Sequence, residues 1–405
     1  MRVESRTAAA QADSVSRIAV LADDLTSAGD GAAPFRRAGH RARALLSTPE
    51  TLPDTAEGVI AVDLGSRLLV EAEAVSRTER AARRLAGAEL LLKTVDSTLR
   101  GHLAAEIRAA HAGSERRAVV IAPAFPAEGR TTLRGIQYVR GVPVHETEFA
   151  RDPAHPVRTS DLADLLPEAD LVDPDDLGGL PELIEKGGLF VCSAETDADL
   201  DRLVSSAPRP GDVLWVGSPG LAAALARRHP RTPATAPHGL PTVLRPLVAV
   251  GSAHPASRRQ LELLRTRKDV ACADSDDPGA AVEALRRASA PVLVAHTPDE
   301  RRAATDSDTL TRDLALVVKE LVADGSADGL VLTGGESAVM VLEALGTAGI
   351  ELYDEPEPGI ARGLLLGRPP IPVLIKAGGF GDRITLDRLC RLLVAGVDHV
   401  TGGDA

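Results

Sequence analysis

The sequence predicts an α/β protein of two domains, each built on a largely parallel sheet. Three observations carry that reading. Short aliphatic runs alternate with amphipathic helical stretches from Ile18 onward, the rhythm of βαβ units. Aromatic residues make up only 2% of a chain that is 44% hydrophobic, so Leu, Val, Ile and Ala build the cores, as in strands buried on both faces. The length of 405 residues suits two domains, and one stretch marks where they part. His229 to Pro241 (HPRTPATAPHGLP) holds four prolines and a glycine with no apolar period. The organisation is then a tail over 1–14, an N-terminal domain over 15–230, a linker over 231–243 and a C-terminal domain over 244–405.

Bulk chemistry excludes several functions. A net charge of -12 argues against a nucleic-acid partner, which calls for a basic domain or stripe. A local cationic cluster can still receive a small anion. Cys192, Cys272 and Cys390 are far apart with no CxxC, and read as buried thiols in a reducing compartment. Met1 to Ser14 lacks the apolar segment of a secretion signal. No run approaches the ~20 apolar residues of a membrane helix. The expectation is a soluble, cytoplasmic protein with disordered ends at Met1–Ser14 and Gly402–Ala405.

In the N-terminal half, Ile18 to Leu21 is the first strand, and Ala22-Asp23-Asp24-Leu25-Thr26-Ser27-Ala28 follows it. A helix with Ala28, Ala32 and Phe35 on one side runs on towards Gly39, its stop. Adjacent carboxylates at a strand end repel unless a cation or metal sits between them. Asp23 and Asp24 are therefore candidates for a general base or for holding a metal-bound phosphate, with helix capping the plain alternative. Gly58 to Leu64 gives another strand. Arg67 beyond it is a second carboxylate clamp, or an exposed residue opening the helix Glu71 to Leu85. The run Leu90-Leu91-Leu92 then inverts in polarity into Lys93-Thr94-Val95-Asp96-Ser97-Thr98-Leu99-Arg100-Gly101, ahead of a helical pattern from His102 to Ala110. Open α/β sheets place their ligands at such strand ends. Arg100 can fork onto a carboxylate, Lys93 offers a point charge, and Ser97 and Thr98 can bond hydroxyls. An ordinary loop capped by Ser97 or Thr98 is the alternative.

Strand Ala118 to Ala122 leads into Pro123 to Pro156, more than thirty residues with little helical period. This is read as a functional loop or small hairpin over a site, a lid or a dimer arm. His145, Glu146 and Glu148 within it match no closed metal-ligand spacing. Leu189 to Cys192 and Val213 to Val216 are further strands, with helices over Ala194 to Val204 and Pro219 to Arg228.

The second half restarts the alternation. Strand Leu247 to Val250 precedes Gly251-Ser252-Ala253-His254-Pro255 and a helix over Ala256 to Leu264. Pro291 to Ala295, Leu310 to Ala323 and Leu330 to Leu332 continue it. Thr333-Gly334-Gly335-Glu336-Ser337 then opens the helix Ala338 to Leu345, and strand Val373 to Lys376 runs into Ala377-Gly378-Gly379-Phe380-Gly381. Glycines between a strand and a helix let backbone N–H groups approach an anion. Three such turns fit a nucleotide held mainly by backbone. Neither a Walker loop nor a Rossmann fingerprint is present.

These strings resemble a known family, the four-carbon acid sugar kinases, first catalogued as a domain of unknown function. The resemblance rests on ADDLTSAGD, KTVDSTLRG, APAFPAEGRTT, GVPVHETEFARDP, GSAHP, TGGES and KAGGFG, in family order from about Ile18 to Leu393. It implies an N-terminal sugar-acid domain facing a C-terminal nucleotide domain across a cleft. It also implies phosphorylation of threonate, erythronate or a 3-oxo-tetronate with ATP and Mg²⁺. By position, the acid would meet Asp23 or Asp24, Arg67, Lys93, Asp96, Ser97, Thr98 and Arg100. ATP would meet Ser252, Gly334, Gly335, Glu336, Ser337, Gly378, Gly379, Phe380 and Gly381. Ser27, His254, Ser337 and Gly379 depart from the commoner family residues.

The implied reaction moves the γ-phosphoryl of ATP to a terminal hydroxyl, which needs positioning and charge neutralisation above all. Asp24 or Asp96 would take the hydroxyl proton, with Asp24 preferred. Arg67, Arg100 and Lys93 would fix the carboxylate or screen the phosphate, and the metal ligands stay unassigned. A dehydrogenase would need the missing dinucleotide fingerprint. A non-catalytic sugar-acid and nucleotide sensor is the remaining alternative; the sequence does not fix the oligomeric state, and the Pro123 to Pro156 arm is a candidate contact for a homodimer.

Overall fold

The computed structural model describes residues 17–47, 57–152, 155–207, 209–232, 239–299, 307–357, 359–367 and 370–395. The expected tails and the centre of the linker, 233–238, lie outside them.

The aliphatic runs do form parallel strands, but the two domains share one sheet. Its fifteen strands are continuous from end to end. Eight parallel strands make the N-terminal half, with Gly58–Asp63, Arg17–Ala22, Leu90–Thr94 and Val213–Gly217 adjacent. Five parallel strands make the far half, where Pro246–Val250, Gly329–Thr333 and Pro372–Lys376 are neighbours. Between the halves lies an antiparallel hairpin, Gly349–Glu357 and Ile360–Leu365. It pairs antiparallel with Pro372–Lys376 on one side and with Ala42–Leu45 on the other. The expectation of two separate sheets is thus corrected: edge pairing joins them, so that neither half leaves a bare edge at the junction.

Alternation along each strand sends side chains to opposite faces. Ile18, Val20 and Ala22 pack with Leu25, Ala28, Ala32 and Phe35 on one face. Ala19 and Leu21 pack with Ala81, Leu85, Leu103 and Ile107 on the other. Both faces are therefore covered by helices, which is why these strands read as unbroken aliphatic runs. Helix Leu25–Arg37 reaches the hairpin. Arg36 Nε donates to the Leu352 carbonyl at 3.2 Å, Arg37 bonds Glu355 at 2.5 Å, and Arg41 bonds Glu351 at 2.8 Å.

The Pro-rich arm forms a small three-stranded antiparallel sheet, Arg130–Leu133, Ile136–Val139 and Val142–Pro143. All three cysteines are free, and Cys272 is exposed, contrary to the expectation of three buried thiols. No helix among the described residues is long and apolar enough to cross a membrane.

Candidate active site

Helix Leu25–Arg37 begins directly after the first strand because Asp24 caps it. The Asp24 carboxylate accepts from the Ser27 N–H at 2.7 Å and the Thr26 hydroxyl at 2.8 Å, and its other oxygen pairs with Arg67. Arg67 also forks onto Asp23 at 2.7 and 3.0 Å and reaches the Ser27 hydroxyl at 3.1 Å. Burial opposes ionisation of Asp23, yet Arg67 and Lys93 overcome it and hold the carboxyl at about 2. The cation between the two carboxylates is Arg67, so Asp23 and Arg67 are tied up with each other.

Lys93 points inward. It is 1% exposed, bonds Glu106 at 2.7 Å and donates to the Thr94 carbonyl at 2.9 Å. In the turn that follows, Asp96 accepts from Thr98 at 2.6 Å and from Arg100 Nε at 2.5 Å. Despite burial, Arg100 and then Arg67 keep the Asp96 carboxyl below the usual range. Arg100 also bonds Asp152 at 3.4 Å and lies 5.2 Å from the centre of the Phe149 ring. The arm is anchored to this turn through Gln137, which donates to the Ser97 carbonyl at 2.8 Å.

In the C-terminal half the three glycine turns pack on one another. A Cβ on Gly251 would stand 1.9 Å from the Ser337 hydroxyl, and one on Gly378 would stand 2.2 Å from that of Ser252. Only glycine permits that approach. Lys376 organises the last turn from within: its ammonium donates to the carbonyls of Ala377 at 2.9 Å, Phe380 at 3.0 Å and Gly378 at 3.4 Å. Burial pulls its pKa down to about 8. Ser257 steadies the same turn, bonding the Gly378 carbonyl at 2.7 Å.

These two sets of loops border one cleft of about 570 Å³. Asp24, Arg67, Asp96, Ser97, Thr98 and Arg100 line it from the N-terminal half, and Gly335, Gly378, Gly379 and Phe380 from the other. Asp23, Lys93, Ser252, Gly334, Glu336, Ser337 and Gly381 are not in its wall. The reading from sequence passed over Asp30, Phe125, Arg130, Phe149 and His254, which are. All five had a signal, since each lies inside a motif already singled out. Asp30 receives no hydrogen bond from any described residue. Burial, then Glu355 and Asp24, push its carboxyl well above the usual range, against Arg67 and Arg37. Among the described residues no three ligating side chains gather to hold a metal.

Residues 18–225 match the sugar-binding N-terminal domain and residues 247–386 the nucleotide-binding C-terminal domain of one family. The chain is therefore an α/β enzyme that brings a sugar-binding and a nucleotide-binding domain together. It is 38% identical over 403 residues to a D-threonate kinase of Bordetella bronchiseptica, covering 93% of this chain and 97% of that protein. With a D-erythronate kinase of Heliobacterium modesticaldum it shares 29% identity, over 91% and 95% of the two chains. A solved Salmonella typhimurium structure has the same fold, with a TM-score of 0.79 at 22% identity over 92% of this chain and 98% of that one. The chain belongs to the four-carbon acid sugar kinase family, and is a kinase that acts on sugar acids.

Proposed function

We propose that this protein transfers the γ-phosphoryl group of ATP to the terminal hydroxyl of threonate, erythronate or a 3-oxo-tetronate, in the breakdown of such acids. The observation that carries the reading is the single cleft into which the Asp96–Arg100 turn and the glycine turns both open. The names of the similar kinases support the substrate class.

The chain's own groups suit the parts this chemistry requires. Backbone N–H groups at Gly335, the start of a ten-residue helix, and at Gly378 to Gly379 would receive the phosphates. Phe380, 39% exposed, would cover the nucleotide. Ser97 and Thr98 would meet substrate hydroxyls, while Arg100 would neutralise charge on the transferring group. Asp23, behind the wall, would hold Arg67 beside Asp24 and so give the cleft a rigid pattern of charge. Asp24 has both oxygens engaged, whereas Asp30 lines the same cleft and accepts no hydrogen bond from a described residue, so we assign the hydroxyl proton to Asp30.

Mg²⁺ would enter with the nucleotide and needs few protein ligands. Among the described residues no side-chain set is free to hold it: both Asp24 oxygens are engaged and Glu336 lies outside the cleft wall. Held by the phosphates, it would neutralise their charge.

The test is ADP release on addition of each four-carbon acid. The reading expects release that depends on the acid, lost in Asp30→Asn with nucleotide affinity kept. Release that is unaffected by any such acid would refute it.

A further inference from the structure

Resting on that reading, we propose that Arg130 is the group that recognises the substrate carboxylate, and so decides that this enzyme accepts an acid rather than a neutral polyol. The other cations near the cleft are already engaged. Arg67 spends its donors on Asp23, Asp24 and Ser27. Arg100 gives Nε to Asp96 and Thr98 and Nη1 to Asp152, so its two-pronged edge is taken and only Nη2 is left for the transferring group. Lys93 is turned inward to Glu106.

Arg130 lines the same cleft from the arm and is engaged on one corner only. Its Nη1 donates to the Glu128 carbonyl at 3.2 Å and to the Glu128 carboxylate at 3.0 Å. Its Nε is buried with no hydrogen-bond partner among the described residues, and none of them accepts from Nη2. Nε and Nη2 together form the edge on which a guanidinium binds a carboxylate through two parallel hydrogen bonds. A buried N–H without a partner is costly, and a substrate carboxylate would supply the missing acceptor.

The backbone holds that edge in place. Arg130 begins the arm's first strand and exchanges two hydrogen bonds with Phe125, of 2.8 and 3.1 Å. Glu128 grips the opposite corner, leaving little freedom to rotate. Anchoring the acid end of a four-carbon chain here leaves the other end for phosphoryl transfer. The arm then acts as the reader of the acid.

Isothermal titration with D-threonate and D-erythronate tests this, run on the wild type, Arg130→Gln, Arg130→Lys and Arg134→Gln. Arg134 is exposed on the same arm, outside the cleft wall. Arg130→Gln is expected to weaken acid binding about 10- to 100-fold, and to raise the acid KM alike while kcat and the nucleotide KM stay within about twofold. Arg130→Lys should recover part of the loss, and Arg134→Gln should match the wild type. Wild-type affinity in Arg130→Gln, or an equal loss in Arg134→Gln, overturns the assignment. Should the wild type bind these acids without transferring phosphoryl, the kinase reading fails and the titrations still decide Arg130. Should it transfer phosphoryl while Arg130→Gln binds normally, only the Arg130 assignment fails. Binding of no four-carbon acid by the wild type, 3-oxo-tetronates included in the titration, overturns both.

Discussion

Lys93 and Glu106 form an ion pair in which both side chains are almost fully buried, 1% and 4% exposed. Removing one partner of such a pair strands a charge in the core, whereas replacing both with apolar groups is often tolerated. Lys93→Met should therefore destabilise the fold by about 3–5 kcal/mol, and Lys93→Met with Glu106→Leu should regain most of that in thermal melts. Had Lys93 met the substrate, the double variant would instead lose acid affinity while melting normally. Asp63 makes a second prediction at this scale. Burial first, with Asp24 and Asp23 adding to it and the Gly65 N–H opposing, pushes its carboxyl up to about 7. A raised acid stabilises the fold fully below its unfolded pKa of about 3.9 and loses that contribution as pH rises through 7. Melting temperature should fall between pH 5 and 8, and Asp63→Asn should flatten the slope. Asp23, held at about 2, acts oppositely, its contribution being lost as pH drops from about 4 towards 2.

Elements explain what sequence made legible. The buried strands were readable because hydrophobicity continues along both faces, and the glycine turns because a break in that run has few causes. The hairpin Gly349–Glu357 and Ile360–Leu365 was not. Its first strand, GIELYDEPE, carries four acids and a proline, which hide any alternation, and its charges are answered by Arg37 at the end of a helix and Arg41 just ahead of the strand Ala42–Leu45, both far away in sequence. The inward turn of Lys93 was hidden for the same reason, since its partner Glu106 lies on the helix beyond the loop. Asp30 and Arg130 were visible as letters within motifs, but their missing partners are facts of three-dimensional packing. The glycine turns can be tested as elements. Gly378→Ala drives a methyl against Ser252 and should raise the nucleotide KM at least about tenfold, with acid binding little changed. A variant with wild-type nucleotide KM would show that this turn does not hold the phosphates.

Across the whole molecule, one sheet carries two kinds of strand end to a shared cleft. The N-terminal half brings charged turns stiffened by their own ion pairs, and the far half brings close-packed glycine turns secured from within by Lys376. Helix Leu25–Arg37 spans the junction, capped by Asp24 at the cleft and bonded through Arg36 and Arg37 to the hairpin that joins the halves. Closure of such a cleft keeps water from the phosphoryl group. Phosphorus-31 NMR of the protein mixed with ATP, Mg²⁺ and a four-carbon sugar acid reads the outcome directly. A new phosphate-monoester resonance on the acid, growing in step with ADP, is the expected result. Inorganic phosphate alone, or ATP left intact in the presence of every such acid, would contradict it.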